Sequence, residues 1–108
     1  MCRLLAVFLI GWAAPAIAGE VCPMRTGQSL RFVDVFDGSP DELAKLIPDK
    51  AKARFGYWQL DYVYAAGRFV TVRCKYDDEK ELDVKLTHNV ARCDYRIGAQ
   101  KTLILSCN

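Results

Sequence analysis

The chain has very little of what metal and redox sites are built from. It contains a single histidine, His88, and none of its five cysteines lies in a C-x-x-C pair. Zinc sites in small domains use closely spaced ligands, and thioredoxin-like chemistry needs the cysteine pair itself. We therefore predict no metal site, no cofactor and no thiol redox function.

The residue arrangements of common hydrolases are also missing. His88 has no cysteine or serine near it in the sequence, and Ser29, Ser39 and Ser106 stand outside any nucleophile-elbow motif. A general base needs a nucleophile and an orienting group within hydrogen-bond reach. The sequence indicates a loop histidine, no catalytic residue and a protein that is not an enzyme.

Neither sign of charge is in large excess. Lys and Arg number 15 against 13 Asp and Glu, and the chain has no block of basic residues. Proteins that bind nucleic acid carry a basic patch that neutralises phosphates, so we expect no nucleic-acid partner. The acid-rich stretch from Asp77 to Asp83 contains no glycine for the sharp turn of a calcium loop, which indicates a solvated turn.

The only long apolar run begins at Leu4, behind a single cation, and Pro15 interrupts it. Small residues up to Ala18 complete the pattern of a secretory signal peptide. The alternative, a membrane anchor, is less favoured because a spanning helix needs about 20 apolar residues. We predict a signal peptide over residues 1–18 and a single disulfide-bonded domain over 19–108, periplasmic or secreted, without a stable membrane anchor.

Four of the cysteines remain after Cys2 leaves with the signal peptide. An even number in a short exported chain indicates disulfides, and four cysteines allow three connectivities. Each bridge is expected to contribute about 2–4 kcal/mol. We favour Cys74–Cys93 between adjacent inward faces and Cys22–Cys107 between the chain ends. The other two connectivities stay open, because a sequence does not give Cα separations.

The stretch FDGSPDELAKLIPD, Phe36 to Asp49, predicts the end of a strand and the start of a short helix. The residues from Ser29 onward are rich in β-branched and aromatic side chains, as in a strand. Ser39 and Glu42 have the spacing of a capping box, with a proline at the first helical position. The helix would pack one apolar stripe on a sheet, formed by Leu43, Leu46 and Ile47.

The rest of the chain alternates apolar and polar residues with the period of half-buried strands. The basic stretch KAKARFG, Lys50 to Gly56, is interpreted as a mobile connector. The predicted fold class is α+β, an antiparallel β-sheet of about five to six strands with one short helix after the first strand and two disulfides. Strands are predicted over 57–64, 68–76, 81–87, 91–97 and 101–107, with Trp58, Tyr62, Tyr64, Cys74, Cys93 and Cys107 inward.

Several short motifs follow one another in a fixed order: Cys22-Pro23, Phe36-Asp37-Gly38 with Pro40 and Glu42, Leu46 with Pro48-Asp49, Trp58 with Leu60, Cys74 with Tyr76, and Arg92-Cys93. In this order they resemble a family of small exported proteobacterial proteins of unknown function, with the pattern FDGxPxE...LxPD, WxL, CxY and [RK]C. The segment between Cys22 and Phe36 is shorter than in many members. The resemblance implies an exported, disulfide-bonded domain and supplies no activity.

The alternate positions of the predicted strands that face outward contain candidate partner-binding residues. Tyr57 and Phe69 fall at these positions, near Arg73, and exposed aromatics beside arginine are typical of interface anchors. Coverage of these rings by the helix or the connector is the open alternative. In the FDGSPDE stretch, Asp37 is the carboxylate without an assigned structural role. We therefore name Tyr57, Phe69, Arg73 and Asp37 as candidates for binding another protein.

The solvent-facing positions of the predicted strands also carry charges of both signs. Cross-strand pairing of opposite charges explains such a pattern, and a site for an anionic partner is the alternative. The charged residues concerned are Arg73, Lys75, Lys85, Arg92 and Arg96 together with Glu81, Asp83 and Asp94.

The favoured function is an exported binding or inhibitor-like module that meets another protein through its sheet face or the Asp37-Gly38 loop. A lysozyme-inhibitor-like domain is one version of this hypothesis, although the chain has no Ser-Gly-x-x-Tyr loop. The alternative is a structural envelope component without a specific ligand. An enzyme is the least favoured class, because no triad, metal set or phosphate loop is present.

Overall fold

The structure is a computed structural model that describes residues 20–108. The predicted signal peptide, residues 1–18, lies outside the described residues. The described part forms seven β-strands, one short α-helix and one 3-10 turn. In chain order they are β1 (Leu30–Asp37), the 3-10 turn (Pro40–Glu42), β2 (Lys50–Ala51), β3 (Phe55–Gln59), α1 (Asp61–Ala65), β4 (Val70–Tyr76), β5 (Glu81–Leu86), β6 (Arg92–Ile97) and β7 (Leu103–Cys107).

The strands form two antiparallel sheets, one of three strands in the order β1-β4-β5 and one of four in the order β2-β3-β6-β7. An antiparallel β architecture with one short helix and two disulfides is thus confirmed. The finer prediction, a single sheet of about five to six strands with its helix after the first strand, is wrong, because seven strands divide between two sheets and α1 follows β3. Each sheet must cover its apolar face, and here the other sheet provides much of that cover.

The core lies between the inner faces of the sheets. Along β4 every second residue is fully buried, as the period of two predicts. The rings of Trp58 on β3 and Tyr95 on β6 contact each other with centroids 5.6 Å apart. The core cluster consists of Val33, Val35, Trp58, Leu60, Val63, Val70, Val72, Cys74, Tyr76, Cys93, Tyr95, Leu103, Leu105 and Cys107.

The predicted helix after Ser39 shrinks to the three-residue 3-10 turn. Ser39 Oγ accepts a hydrogen bond from the amide of Asp41 at 3.3 Å, whereas the carboxylate of Glu42 turns to Arg68 and closes no capping box. Leu43, with φ of 62°, then ends the turn. The prediction of a two-turn helix is therefore wrong.

The open edge of β1 explains why the chain stays extended after Leu43. The amide of Asp37 donates to the carbonyl of Ala44 at 3.0 Å, and the amide of Leu46 donates to Val35 at 2.7 Å. These bonds satisfy edge groups of β1 that a helix would leave unpaired. Of the predicted apolar stripe, Leu46 alone packs against the core, while Leu43 is 84% and Ile47 86% exposed.

The predicted strand over residues 57–64 is wrong in its second half. β3 ends at Gln59, and α1 carries Tyr62, which is 54% exposed, and Tyr64, which is half-buried. Leu60 and Val63 are both buried because the switch to helical spacing brings them onto one face. Tertiary contacts here override the β propensity of the tyrosines and valine.

The basic stretch predicted as a mobile connector is instead a hairpin. β2 pairs with β3 through Lys50 opposite Tyr57 and Ala51 opposite Gly56. The amide of Lys52 donates to the carbonyl of Phe55 at 2.8 Å and closes the turn.

Both favoured disulfide pairings are corrected. The bridges are Cys22–Cys74 and Cys93–Cys107, with Cα separations of 5.8 Å and 4.0 Å. Cys93 lies directly opposite Cys107 on neighbouring strands, whereas Cys74 belongs to the other sheet. The prediction that Cys74, Cys93 and Cys107 all point inward is confirmed, since all three are buried.

Candidate functional site

The four candidate residues named from the sequence do not form one cluster. Tyr57 lies on β3 in the four-stranded sheet, and Arg73 lies on β4 in the three-stranded sheet. Phe69 directly precedes β4, and Asp37 ends β1. The charged residues predicted on one wet face are divided in the same way, with Arg92, Asp94 and Arg96 on β6 and the others on β4 and β5.

Arg73 and Phe69 are engaged in contacts within the three-stranded sheet. Arg73 donates to both carboxylate oxygens of Asp83, at 2.8 and 3.1 Å, and its Nε lies 3.6 Å from Glu81. The hydrogen bond to Asp83 raises the pKa of Arg73 above its ordinary value. The half-buried ring of Phe69 lies under Lys85, whose Nζ is 4.2 Å from the ring centroid. This face is an internal network of opposite charges.

Asp37 also has a structural role. Its carboxylate accepts a hydrogen bond from Arg68 Nε at 2.6 Å, and the same guanidinium bonds Glu42. These bonds raise the pKa of Arg68 and keep it charged. Because Asp37 and Glu42 stand on either side of the FDGSP bend, Arg68 fixes the conformation of that loop.

The outer face of the four-stranded sheet has a different composition. Aromatic and aliphatic side chains alternate there with cations along a shallow groove of about 400 Å³. Phe55 and Ile104 are each 50% exposed, and Tyr57 is half-buried. We call this surface the aromatic–basic face and define it as Lys50, Phe55, Tyr57, Arg92, Arg96 and Ile104.

Strand register brings these residues together. Tyr57 pairs with Lys50 on one side and with Asp94 on the other, so all three side chains share one face. In the next row, Arg96 stands between Phe55 on β3 and Ile104 on β7. The face thus draws on all four strands of the sheet.

Arg92 and Tyr57 form the pre-organised part of the face. The guanidinium carbon of Arg92 lies 3.7 Å from the centroid of the Tyr57 ring. Asp94 holds the same guanidinium through two hydrogen bonds, of 2.7 and 3.1 Å, and these raise the pKa of Arg92. A guanidinium stacked on an aromatic ring keeps a fixed orientation, so a partner orders little when it binds.

Arg96 and Lys50 are the cations of the face that remain available. Within residues 20–108 neither side chain forms a salt bridge, although Lys50 Nζ lies 5.5 Å from the centroid of Phe55. The adjoining hairpin adds Lys52 and Arg54, both exposed. The one acid within the groove, Asp94, is already paired with Arg92, so the face is positively charged.

Gly56 allows the close packing beneath this face. A Cβ atom at this position would lie 2.2 Å from the carbonyl oxygen of Lys50 and 2.4 Å from Cε2 of Tyr95. The Tyr95 hydroxyl in turn donates to the carbonyl of Lys52 at 2.9 Å. Glycine therefore lets the hairpin rest on the Tyr95 ring, with Phe55 and Tyr57 outward on either side.

The sequence contained part of the signal for this face. Period-2 alternation correctly placed Tyr57, Arg92 and Arg96 outward. Phe55 and Lys50 were missed because they fell in the stretch interpreted as a connector. Ile104 was missed because an apolar residue between the inward Leu103 and Leu105 gives no polar signal of an outward face.

Other surfaces of the described chain offer less to a ligand. His88 lies in an exposed loop after β5, as predicted. Residues 20–108 contain no group of three or more His, Cys, Asp and Glu that could hold a metal ion. In the predicted acidic turn, Asp78 accepts two hydrogen bonds from Arg25, both at 3.0 Å, and this contact lowers the pKa of Asp78.

A larger groove of about 800 Å³ runs between the segment before β1 and strand β7. Arg25 in its wall is paired with Asp78 and stacks on Tyr76, 4.8 Å from the ring centroid. The Tyr76 hydroxyl donates to the carbonyl of Pro23. These polar groups satisfy one another, so neither Arg25 nor the Tyr76 hydroxyl is free to orient a ligand in the groove.

In the part of the chain that the structure describes, no helix has the length and apolar character needed to cross a membrane. Comparison of the chain with protein-family models, with curated proteins and with solved structures gives no match.

Proposed function

We propose that this chain is an exported binding module that recognises an acidic segment of another protein through its aromatic–basic face. One observation carries the proposal: Arg92 stacks on Tyr57 at 3.7 Å beside the half-exposed Phe55 and Ile104. Arginine, tyrosine and phenylalanine are enriched where proteins meet, and alanine substitution of such anchors has the largest effect on binding.

The charge of the face supports an acidic partner. Arg96 and Lys50 carry no ion pair within the described residues, and the adjoining hairpin adds two further cations. Carboxylates fit the planar, forked guanidinium of an arginine such as Arg96. Phe55 and Ile104, on either side of Arg96, offer apolar contact. The preferred ligand is therefore a segment with acidic side chains next to apolar ones.

Two disulfides in a domain of this size support an exported location, periplasmic or secreted, because such bridges persist in oxidising compartments. The chain offers no assembled catalytic group among its described residues, so binding alone is the proposed activity. An inhibitor is one form that such binding takes.

The test measures capture of proteins from envelope and secreted fractions by the immobilised, disulfide-bonded protein. Face variants Arg96→Glu and Phe55→Ala are compared with Arg31→Glu and Phe32→Ala. The controls change the same residue types on β1, where Arg31 is exposed and Phe32 is 45% exposed. Each variant is checked by thermal unfolding.

We expect one acidic protein to bind the wild type and both controls, with affinity lower by about 10-fold or more in each face variant. Binding should weaken as salt is raised, since the charges are exposed. Equal capture by face and control variants would rule out this face as the binding site. Absence of any captured protein would favour a structural envelope role.

A further inference from the structure

β5 is an edge strand whose outer side is open. In the three-stranded sheet its only strand neighbour among the described residues is β4. At the base of the β4–β5 hairpin, the amide of Tyr76 donates to the carbonyl of Lys80 at 3.0 Å. An open edge of this kind presents unpaired backbone donors and acceptors that can pair with another strand.

The register identifies the open backbone groups. Hydrogen-bonded pairs alternate along an antiparallel ladder, so those after Tyr76 and Lys80 are Cys74 with Leu82 and Val72 with Val84. The intervening residues of β5 turn their N–H and C=O groups away from β4. The outward-pointing residues are Glu81, Asp83 and Lys85.

The side chains of this edge give it two different rows. Glu81, Asp83 and Lys85 form an exposed charged row on the outer face. On the inner face, Leu82 is 41% exposed, and Val84 beside it is half-buried. The edge thus combines free hydrogen-bonding groups, an incompletely covered apolar row and charges of both signs.

We propose that β5 pairs with β5 of a second copy of this chain, antiparallel about a two-fold axis, with Asp83 opposite Asp83. Glu81 of one copy then lies opposite Lys85 of the other, twice in the dimer. All the outward backbone groups of the three charged residues find partners, and the two sheets join into one of six strands. Leu82 of one copy covers Val84 of the other.

Charge complementarity selects this occupant. Charged edge strands normally discourage pairing, but the order acid, acid, base becomes attractive at both ends when the strand meets itself antiparallel. The central acids are tolerated because Arg73 holds each Asp83 through two hydrogen bonds of 2.8 and 3.1 Å.

Neighbouring registers are less favourable. A shift toward the hairpin places Glu81 opposite Asp83 of the other copy, twice, and sets acid against acid. A shift the other way places Asp83 opposite Lys85 of the other copy, twice, but it moves Glu81 opposite Thr87, which lies beyond the end of β5, so the backbone groups of Glu81 lose their strand partner. Glu81→Lys would leave that register unchanged, which distinguishes it from the register centred on Asp83. The register centred on Asp83 is the one in which every outward group of the strand is paired.

The oligomeric state tests the proposal. A contact between single strands is small, so we expect a weak dimer, visible by sedimentation equilibrium at millimolar and lost at low micromolar concentration. Glu81→Lys and Lys85→Glu should each weaken the dimer by about 10-fold or more. The double variant Glu81→Lys/Lys85→Glu restores complementarity and should regain the dimer. Lys52→Glu, on the hairpin of the other sheet, is the matched control.

A backbone variant separates strand pairing from side-chain effects. Lys85→Pro removes an N–H that points to the open edge, so the monomer should keep its fold while the dimer is lost. A wild type that stays monomeric at millimolar concentration would overturn the proposal. So would a double variant that fails to dimerise although folded, or a dimer that persists in Lys85→Pro, because another surface would then be responsible.

Discussion

The guanidinium of Arg68 lies 2.6 Å from the carboxylate of Asp37, measured from Nε to Oδ1, although 31 residues separate them in the sequence. The pair joins the residue that follows α1 and its turn to the last residue of β1. The FDGSP stretch is therefore a bend held from outside by Arg68, and the carboxylate that lacked a role in the sequence has one in the fold.

Gly38 within this bend should be sensitive to substitution. Its φ is +90°, and an added Cβ would lie 2.5 Å from both Arg68 Nη2 and Glu42 Oε1. Gly67 is the matched control, since its φ is +77° with no atom within 4 Å of such a Cβ. In urea unfolding, we expect Gly67→Ala to lower the free energy of unfolding by about 1 kcal/mol, because alanine is strained at a positive φ. Gly38→Ala should lower it by about 1 kcal/mol more, because its Cβ also displaces the exposed ion pair of Arg68 with Glu42. Equal losses of unfolding free energy in the two variants would show that the contacts of Arg68 with Asp37 and Glu42 do not stabilise this bend.

The two disulfides should contribute unequally to stability. Cys22–Cys74 closes 52 residues of sequence and Cys93–Cys107 closes 14. Loop-closure entropy then gives about 4 and about 3 kcal/mol respectively. Replacing each pair by alanines and measuring urea unfolding should show the greater loss for Cys22→Ala/Cys74→Ala. A greater loss for the short loop would mean that packing of the sulfurs outweighs chain entropy.

Tyr76 should stabilise the segment before β1 through its hydroxyl. The side chain is buried, and the hydroxyl donates to the carbonyl of Pro23 next to the Cys22–Cys74 bridge. Tyr76→Phe should lower the unfolding free energy by about 1 kcal/mol. Tyr62→Phe is the control, because Tyr62 is 54% exposed and should show no change. Equal thermal shifts in the two variants would contradict this role.

The ion pair of Asp83 with Arg73 should make stability depend on acid pH. Hydrogen bonding by Arg73 holds the pKa of Asp83 below its ordinary value of 3.8. A carboxyl with a lower pKa in the folded state stabilises the fold above about pH 4, and this contribution is lost as pH falls through the folded value. Asp83→Asn should thus be less stable than wild type at neutral pH, by no more than about 1 kcal/mol for so exposed a pair.

Below both pKa values the difference should vanish, because the wild-type carboxyl is then neutral too. The samples are kept dilute so that the protein is monomeric. Asp41→Asn, which alters an exposed acid of the 3-10 turn, is the control. A difference that stays constant down to about pH 2 would show that the ion pair is not its source.

Local patterns predicted the strands well where one face is buried and the other wet. β4, β5, β6 and β7 match the sequence-based ranges closely, because period-2 alternation is a direct consequence of a half-buried sheet. β1 is buried at four consecutive positions and was predicted instead from its β-branched and aromatic residues. The inward parity of Cys74, Cys93 and Cys107 followed from the same rule.

The errors lie where competing contacts are distant in sequence. The helix signals after Ser39 gave way to the open edge of β1, whose carbonyl at Val35 accepts from the amide of Leu46. The β-prone residues of α1 gave way to the need to bury Val63. Neither competitor can be seen in a local window of sequence.

The candidate site shows the same division. The sequence indicated that Tyr57, Arg92 and Arg96 point outward, but not that they share a sheet. That depends on pairing between β3 and β6, which local propensity does not encode. Phe69 and Arg73 were predicted to lie near Tyr57. Arg73 instead lies on β4 in the other sheet, and Phe69 directly precedes that strand.

The sequence by itself determined the composition of the strands, the inward and outward faces of β4, β5, β6 and β7, and the number of cysteines available for bridges. Only the tertiary structure decided how the strands divide into two sheets, and therefore which cysteines pair and which aromatic side chains meet which arginines. The physical reason is that side-chain alternation is set by neighbouring residues, whereas strand order is set by which apolar faces cover one another most completely.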